Sequence, residues 1–276
     1  MSTREAAALE RASERLRRER AEGGINTALQ LVSYGSLIAL WFVGAQLLPT
    51  LLPGPIETLR FIAREFDKGT LISHLWITTQ RVLVAFVIAM LAGVAVGAAM
   101  GMSRRIDNLL QGWLIVALTI PRILLFVVAY LSIGLSDRAL VVALVITIIP
   151  TIVVAIREGT RAIDTSLVEM ARAFRRPPVA VWLRVVFPQL TPFVVGTARG
   201  ALALSWKMVV LGELLGRTSG VGYQISFYFQ FFNMTGILAY GVTMMVLLAV
   251  IDLGIMGSLQ RAAFRWRAPV KVSAVG

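Results

Sequence analysis

The chain has 276 residues, of which 57% are hydrophobic and only 15% charged, and it carries a formal net charge of +12. An ordinary soluble domain is about 25% charged, so too few charges are present to cover a soluble surface. Without cysteine, and with His74 the single histidine, disulfides, thiolate metal sites and a histidine metal cluster are excluded. A basic balance suits nucleic acid or a membrane. The basic residues lie between long hydrophobic runs, which selects the bilayer and argues against nucleic acid.

Residues 1–24 read as a cytoplasmic basic helical extension, with Arg4, Arg11, Arg15, Arg17, Arg18 and Arg20 among alanines and glutamates. No apolar core or small-residue cleavage site marks them as a secretory signal. They fit either a helix lying on anionic headgroups or a solvated charged tail.

Residues 25–260 then form a transmembrane domain, and 261–276 a cytoplasmic tail. A spanning helix needs roughly 20 mainly apolar residues. The first expected span is Leu31–Leu52 and the second Val82–Met102, where Gly93, Gly97 and Gly101 make a small-residue ridge suited to close helix approach. The third, Leu110–Ile133, is interrupted by Pro121 and Arg122. Ala139–Ile156, Leu190–Gly212 and Gly236–Gly257 are the fourth, fifth and sixth. The runs lack strand alternation, so the expected class is an all-α integral membrane protein of about six helices.

With a cytoplasmic N-terminus, eighteen basic residues fall on the cytoplasmic side and five (Arg60, Arg64, Lys68, Arg138, Arg217) on the other. The positive-inside rule therefore places both termini in the cytoplasm.

The longest polar interruption, about residues 157–188, lies between spans four and five. Asp164 or Thr165 caps a helix carrying Leu167, Val168, Ala171 and Phe174, which Pro177 and Pro178 stop. A second short helix, Val179–Val186, is expected before Pro188. The apolar Leu167, Phe174 and Trp182 either pack under the bundle or insert into a groove on a soluble partner.

Three cations fall inside spans: Arg122, Arg199 and Lys207. A mid-bilayer charge costs roughly 2.5–3.5 kcal/mol on insertion scales and needs a partner or a wet cavity. Depth-matching pairs Arg199 with Asp252. Arg122 and Lys207 are candidates for lining an anion path, against internal pairing or snorkelling. Trp206, Tyr223, Tyr228 and the Phe227–Phe232 aromatics fit an interfacial belt. Glu213 is expected to cap or salt-bridge the loop after span five, and His74 to sit on the outer surface.

The interruption's residues 169–188 resemble the EAA loop of ABC importer permeases. Glu169-Met170-Ala171 fills the first element, Arg175 stands where the family has glycine, and Val185, Phe187 and Pro188 fill the last, in register. Leu52-Pro53-Gly54-Pro55 with Thr58-Leu59 is similar to the family's segment after its first span. So are His74-Leu75, Thr79 and Arg81-Val82-Leu83, the Val94–Gly101 ridge, Gly212-Glu213-Leu214-Leu215-Gly216 and Ser219-Gly220-Val221-Gly222-Tyr223 to their counterparts. Together they resemble the nitrate/sulfonate/taurine branch. The resemblance implies a bacterial inner-membrane permease, not itself an enzyme, working by alternating access. It implies a coupling helix formed by Glu169, Met170, Ala171, Phe174, Arg175, Arg176 and Pro188, docking on a cytoplasmic ATPase dimer. It also implies a second permease copy and a periplasmic solute-binding protein.

No G-x-x-x-x-G-K-[ST] occurs, so ATP and magnesium are expected on the partner and no cofactor on this chain. The competing readings are a self-sufficient secondary transporter or channel, using Arg122, Lys207 and Asp252 as a relay, and a membrane-embedded enzyme. The first shows no detectable inverted repeat and gives the EAA-like loop no role, and the second needs clustered polar residues where only scattered charges occur.

Overall fold

The computed structural model describes residues 29–252, apart from 31 and 50, together with 254 and 257. The readings for residues 1–24 and 261–276 lie outside the described residues. The chain divides into two units between Phe61 and Ile62. In the first, helix α1 (Val32–Leu47) is apolar and shorter than the expected span. The Trp41 indole N–H donates to the Pro53 carbonyl (3.1 Å), folding the segment after α1 back on it. Helix α2 (Pro55–Asp67) begins with a proline, whose fixed φ and missing N–H suit a first helical position.

The second unit is built on α3 (Thr70–Met102) and α6 (Asp137–Arg161). The glycine ridge decides how closely they meet. A Cβ on Gly93 would lie 2.7 Å from the Ile152 side chain, on Gly97 2.8 Å from the Val153 carbonyl oxygen, and on Gly101 2.5 Å from the Thr160 side chain. The two backbones therefore approach to distances no larger residue permits. Around this pair pack Phe126, Leu202, Trp206, Val209 and Tyr240, from the other helices of the unit. Trp206 is thus a core residue with 1% exposure, not part of an interfacial belt; the helix that carries it turns that face toward α3 and α6.

The expected third span is two helices, α4 (Arg104–Thr119) and α5 (Arg122–Ile133), bent 93° at the break. Pro121 explains it. The residue before a proline is pushed from helical to extended backbone, and Ile120 has ψ 126°. After α6 comes α7 (Thr165–Ala173). Then α8 (Pro178–Val181) passes through one π turn (Trp182–Val186) into α9 (Phe187–Gly216). The short helix expected over Val179–Val186 is therefore the first part of one 39-residue helix, Pro178–Gly216. Pro188 has no N–H for the carbonyl of Arg184, and the neighbouring Phe187 N–H bonds instead to Trp182, the five-residue step of a π turn. Helices α10 (Val221–Gln230) and α11 (Met234–Ile251) complete the unit. Tyr240 of α11 and Thr70 of α3 both donate to the Glu65 carboxylate (3.4 and 2.7 Å).

The described residues are helical without strands. Four helices (α3, α6, Pro178–Gly216 and α11) are each long and apolar enough to cross a membrane, and the bent α4–α5 pair makes a fifth if counted as one span.

The ridge gives a direct test. Gly97→Ala should destabilise the protein in detergent thermal unfolding, because its Cβ meets a backbone oxygen; overpacking of this kind costs about 1–3 kcal/mol. Gly112→Ala, where nothing lies within 4 Å, should be neutral or slightly stabilising. Equal melting temperatures for the two variants would contradict the close α3–α6 approach.

Candidate functional site

Three polar clusters stand out in the second unit. The most buried joins α3 to the segment after α9. Arg81, 5% exposed, places Nη1 2.6 Å from Glu213 Oε1, and Glu213 is fully buried. Arg81 also donates to the Ser219 carbonyl (2.7 Å) and hydroxyl (2.8 Å), and pairs with Asp137 of α6 at 2.6 Å. The Glu213 carboxylate further accepts from the Thr78 hydroxyl and from the Gly222 N–H, each at 2.9 Å. Thr78 in turn accepts from the Val221 N–H (2.9 Å). His74 Nδ1 accepts from the Gly220 N–H (2.9 Å), and its Nε2 lies 2.7 Å from the Gln224 amide nitrogen. His74 is therefore half-buried and engaged, not an outer-surface residue. Gly220 has φ +107°, and any side chain there would strike the Glu213 carboxylate, so only glycine fits.

The second cluster fastens the other end of α6. Asp107 of α4 accepts two parallel hydrogen bonds from Arg157 (2.5 and 2.8 Å) and one from Arg161 (2.6 Å). Beyond it, α7 starts at Asp164, which accepts from the Ser166 N–H (2.9 Å) and hydroxyl (2.6 Å). Those two bonds hold the Asp164 carboxyl below the ordinary carboxylate range. The cap is therefore complete above the unfolded carboxylate pKa and is lost as pH falls through the lowered value. The Asp164 N–H donates to the Gln189 side chain (2.9 Å), tying the loop to α9.

Helix α7 ends before the prolines. Arg175 adopts φ +54°. Its N–H bonds to Arg172 O (2.8 Å) and that of Arg176 to Ala171 O (3.2 Å), the pattern of a left-handed helix stop. The conformation explains why glycine belongs at this position: a left-handed residue with a Cβ carries roughly 1–2 kcal/mol of strain. Of the residues matched to the EAA pattern, Ala171 is buried. Glu169, Met170, Arg175, Arg176 and Phe174 are exposed, Phe174 to 74%, and Pro188 sits half-buried in the first turn of α9. Glu169 forms no ion pair among the described residues.

The third cluster is the Arg199–Asp252 pair, as depth-matching expects, with parallel bonds of 2.7 and 2.6 Å. Arg199, Asp252 and Lys207 share the wall of a cavity of about 90 Å³ with Trp206. Lys207 and Arg122 are both exposed on this chain. Arg122 opens α5 at the bend and is not part of that wall.

Sequence reading missed Arg81 and Asp137 as a site. The available signal was Arg81 heading an apolar run of twenty-one residues, with Glu213 next to a Gly-rich turn.

Long apolar helices fastened by buried ion pairs, with an exposed helical loop at one end, define a multi-pass membrane protein. Residues 82–264 match the family described as binding-protein-dependent transport system inner membrane component, and the chain belongs to that family of transport subunits. It is similar to the taurine transport system permease protein of Escherichia coli, 24% identical over 252 residues, covering 88% of this chain and 91% of the relative. It is similar also to the nitrate import permease protein of Synechococcus elongatus, 26% identical over 236 residues, covering 81% and 82%. These relatives place its resemblance in the nitrate/sulfonate/taurine branch. An inward-facing structure of the MetNI methionine ABC transporter superposes with a TM-score of 0.62 at 21% identity, over 72% of this chain and 98% of that one. That likeness concerns the fold.

Two outcomes follow. Arg81→Met should cost about 3–5 kcal/mol by leaving Glu213 buried and unpaired, while Arg81→Met with Glu213→Leu should recover much of the loss in thermal unfolding; an additive double variant would refute the coupling. Arg175→Gly should relieve the left-handed strain, slowing amide exchange across 171–176, and unchanged or faster exchange would contradict it.

Proposed function

We propose that this chain is the permease subunit of an ATP-driven importer in a bacterial cytoplasmic membrane, with six spans and both termini cytoplasmic. The six are α1, α3, the α4–α5 pair, α6, the Pro178–Gly216 helix and α11. Two copies line one path. A periplasmic binding protein delivers a small anionic solute of the sulfonate, taurine or nitrate kind, and a separate ATPase dimer binds ATP and magnesium. The 18-to-5 split of basic residues supports the orientation.

The observation that carries the reading is α7. A short capped helix, held to α9 through Gln189 and stopped by a left-handed turn, exposes Phe174 and Met170 beside Glu169. An apolar side chain so exposed on a short helix beyond the spans fits insertion into a cleft of a soluble partner better than packing under its own bundle. Lys207 and Arg122 are the proposed path residues. Arg199 lies beside Lys207 with its charge shared by Asp252, which makes it a positioning neighbour rather than a free anion ligand.

Co-purification with a candidate ATPase tests the docking. Wild type should retain it, while Glu169→Arg and Phe174→Asp should lose it with the permease still folded. If neither substitution matters, α7 is not the docking element and a self-sufficient transporter becomes the better account. Arg122→Ala and Lys207→Ala should reduce uptake in proteoliposomes at least several-fold without changing assembly; unchanged uptake in both would remove them from the path.

A further inference from the structure

Where α3 and α6 end, the loop around α7 leaves a cavity of about 880 Å³. Its lining includes the apolar Met102, Val181 and Trp182 and the basic Arg161, Arg172 and Arg176, and no acidic residue. Arg161 already shares Asp107 with Arg157. Arg172 and Arg176 form no ion pair among the described residues. Two uncompensated guanidinium groups thus share the cavity with apolar side chains at the level where three long helices terminate: Met102 closes α3, Arg161 closes α6, and Trp182 follows the first turn of the Pro178–Gly216 helix.

Those are the conditions of a membrane–water boundary, where tryptophan sits at headgroup level and basic pockets between helices take anionic headgroups. Guanidinium matches phosphate oxygens in two-point fashion. The volume falls within the roughly 300–1,000 Å³ of small-molecule pockets and far exceeds a bare phosphate. We propose that this cavity binds one anionic phospholipid, with Arg172 and Arg176 on its phosphate and Met102, Val181 and Trp182 along the start of its acyl chain. The inference rests on the membrane placement proposed above. It gives the loop a second role: a bound lipid would brace α7 against the ends of α3 and α6.

Native mass spectrometry of the full-length permease, alone and with its ATPase, tests this in neutral detergent with added phosphatidylglycerol or phosphatidylcholine. Wild type should retain phosphatidylglycerol at least fivefold over phosphatidylcholine. Arg172→Gln with Arg176→Gln should abolish the preference. Arg104→Gln with Arg105→Gln, basic residues at the same end but outside the cavity wall, should keep it. Val168→Trp, which fills the cavity and leaves every arginine in place, should also lose the lipid. Equal retention by the Arg172/Arg176 variant overturns the proposal. So does complete displacement by millimolar inorganic phosphate, which would assign the arginines to a free anion, and so does loss of lipid on adding the ATPase, which would assign the space to that partner. Should the ATPase fail to bind while the lipid preference persists, the docking reading falls and the lipid site stands.

Discussion

The structure depends first on how one buried arginine is neutralised. Arg81 sits at the head of the apolar stretch of α3, and an unpaired charge there would oppose insertion and packing alike. Glu213 and Asp137 neutralise it from two other helices, and the Ser219 carbonyl and hydroxyl take further donors. Because the partners come from α9, α6 and the segment after α9, neutralising one guanidinium fixes the mutual register of three long helices. Thr78 and Gly222 complete the Glu213 carboxylate, so the turn after α9 is shaped around that acid.

A matching constraint closes the opposite end of α6. Asp137 lies in its first turn and Arg157 twenty residues later, a rise of about 30 Å at 1.5 Å per residue. That is roughly the thickness of the hydrocarbon core. Between these two polar clamps, Gly93 and Gly97 of α3 meet Ile152, Val153 and Ile156 of α6. The division is physical. Ion pairs set the ends, and close van der Waals contact serves the middle, where lipid gives helices no hydrophobic reason to associate.

Much of this was legible in the sequence because membrane insertion writes itself in composition. Apolar runs located the long helices, the i, i+4, i+8 glycines marked a close-approach face on α3 without naming its partner, and matched depth paired Arg199 with Asp252. Asp164 was readable as a cap because its partner is two residues away. What stayed hidden depends on distant partners or on angles. Arg81 and Glu213 lie 132 residues apart, and no local pattern joins them. Pro121 announces a break but not that the chain turns 93° there. Pro188 looked like a boundary. The helix passes through it instead, because a π turn absorbs the missing N–H. His74 looked superficial because its acceptor role serves a backbone N–H 146 residues on.

The Pro178–Gly216 helix connects these features. At 39 residues it is about 58 Å long. It begins beside the exposed α7, to which Gln189 links it, and carries Arg199 and Lys207 along its length. It ends three residues past Glu213, in the clamp around Arg81. A helix is stiff along its axis, so on the proposed docking a displacement of α7 would reach the Arg81–Glu213 clamp through the Gln189 tie. The π turn at Trp182–Val186 alters the hydrogen bonding of that helix, as do Pro188 and Pro192 by lacking an N–H, and Gln189 ties α7 to the helix just past the π turn. The irregular hydrogen bonding thus lies at the α7 end of the helix and the buried ion pair at the other, and the Gln189 tie joins α7 to the regular part between them.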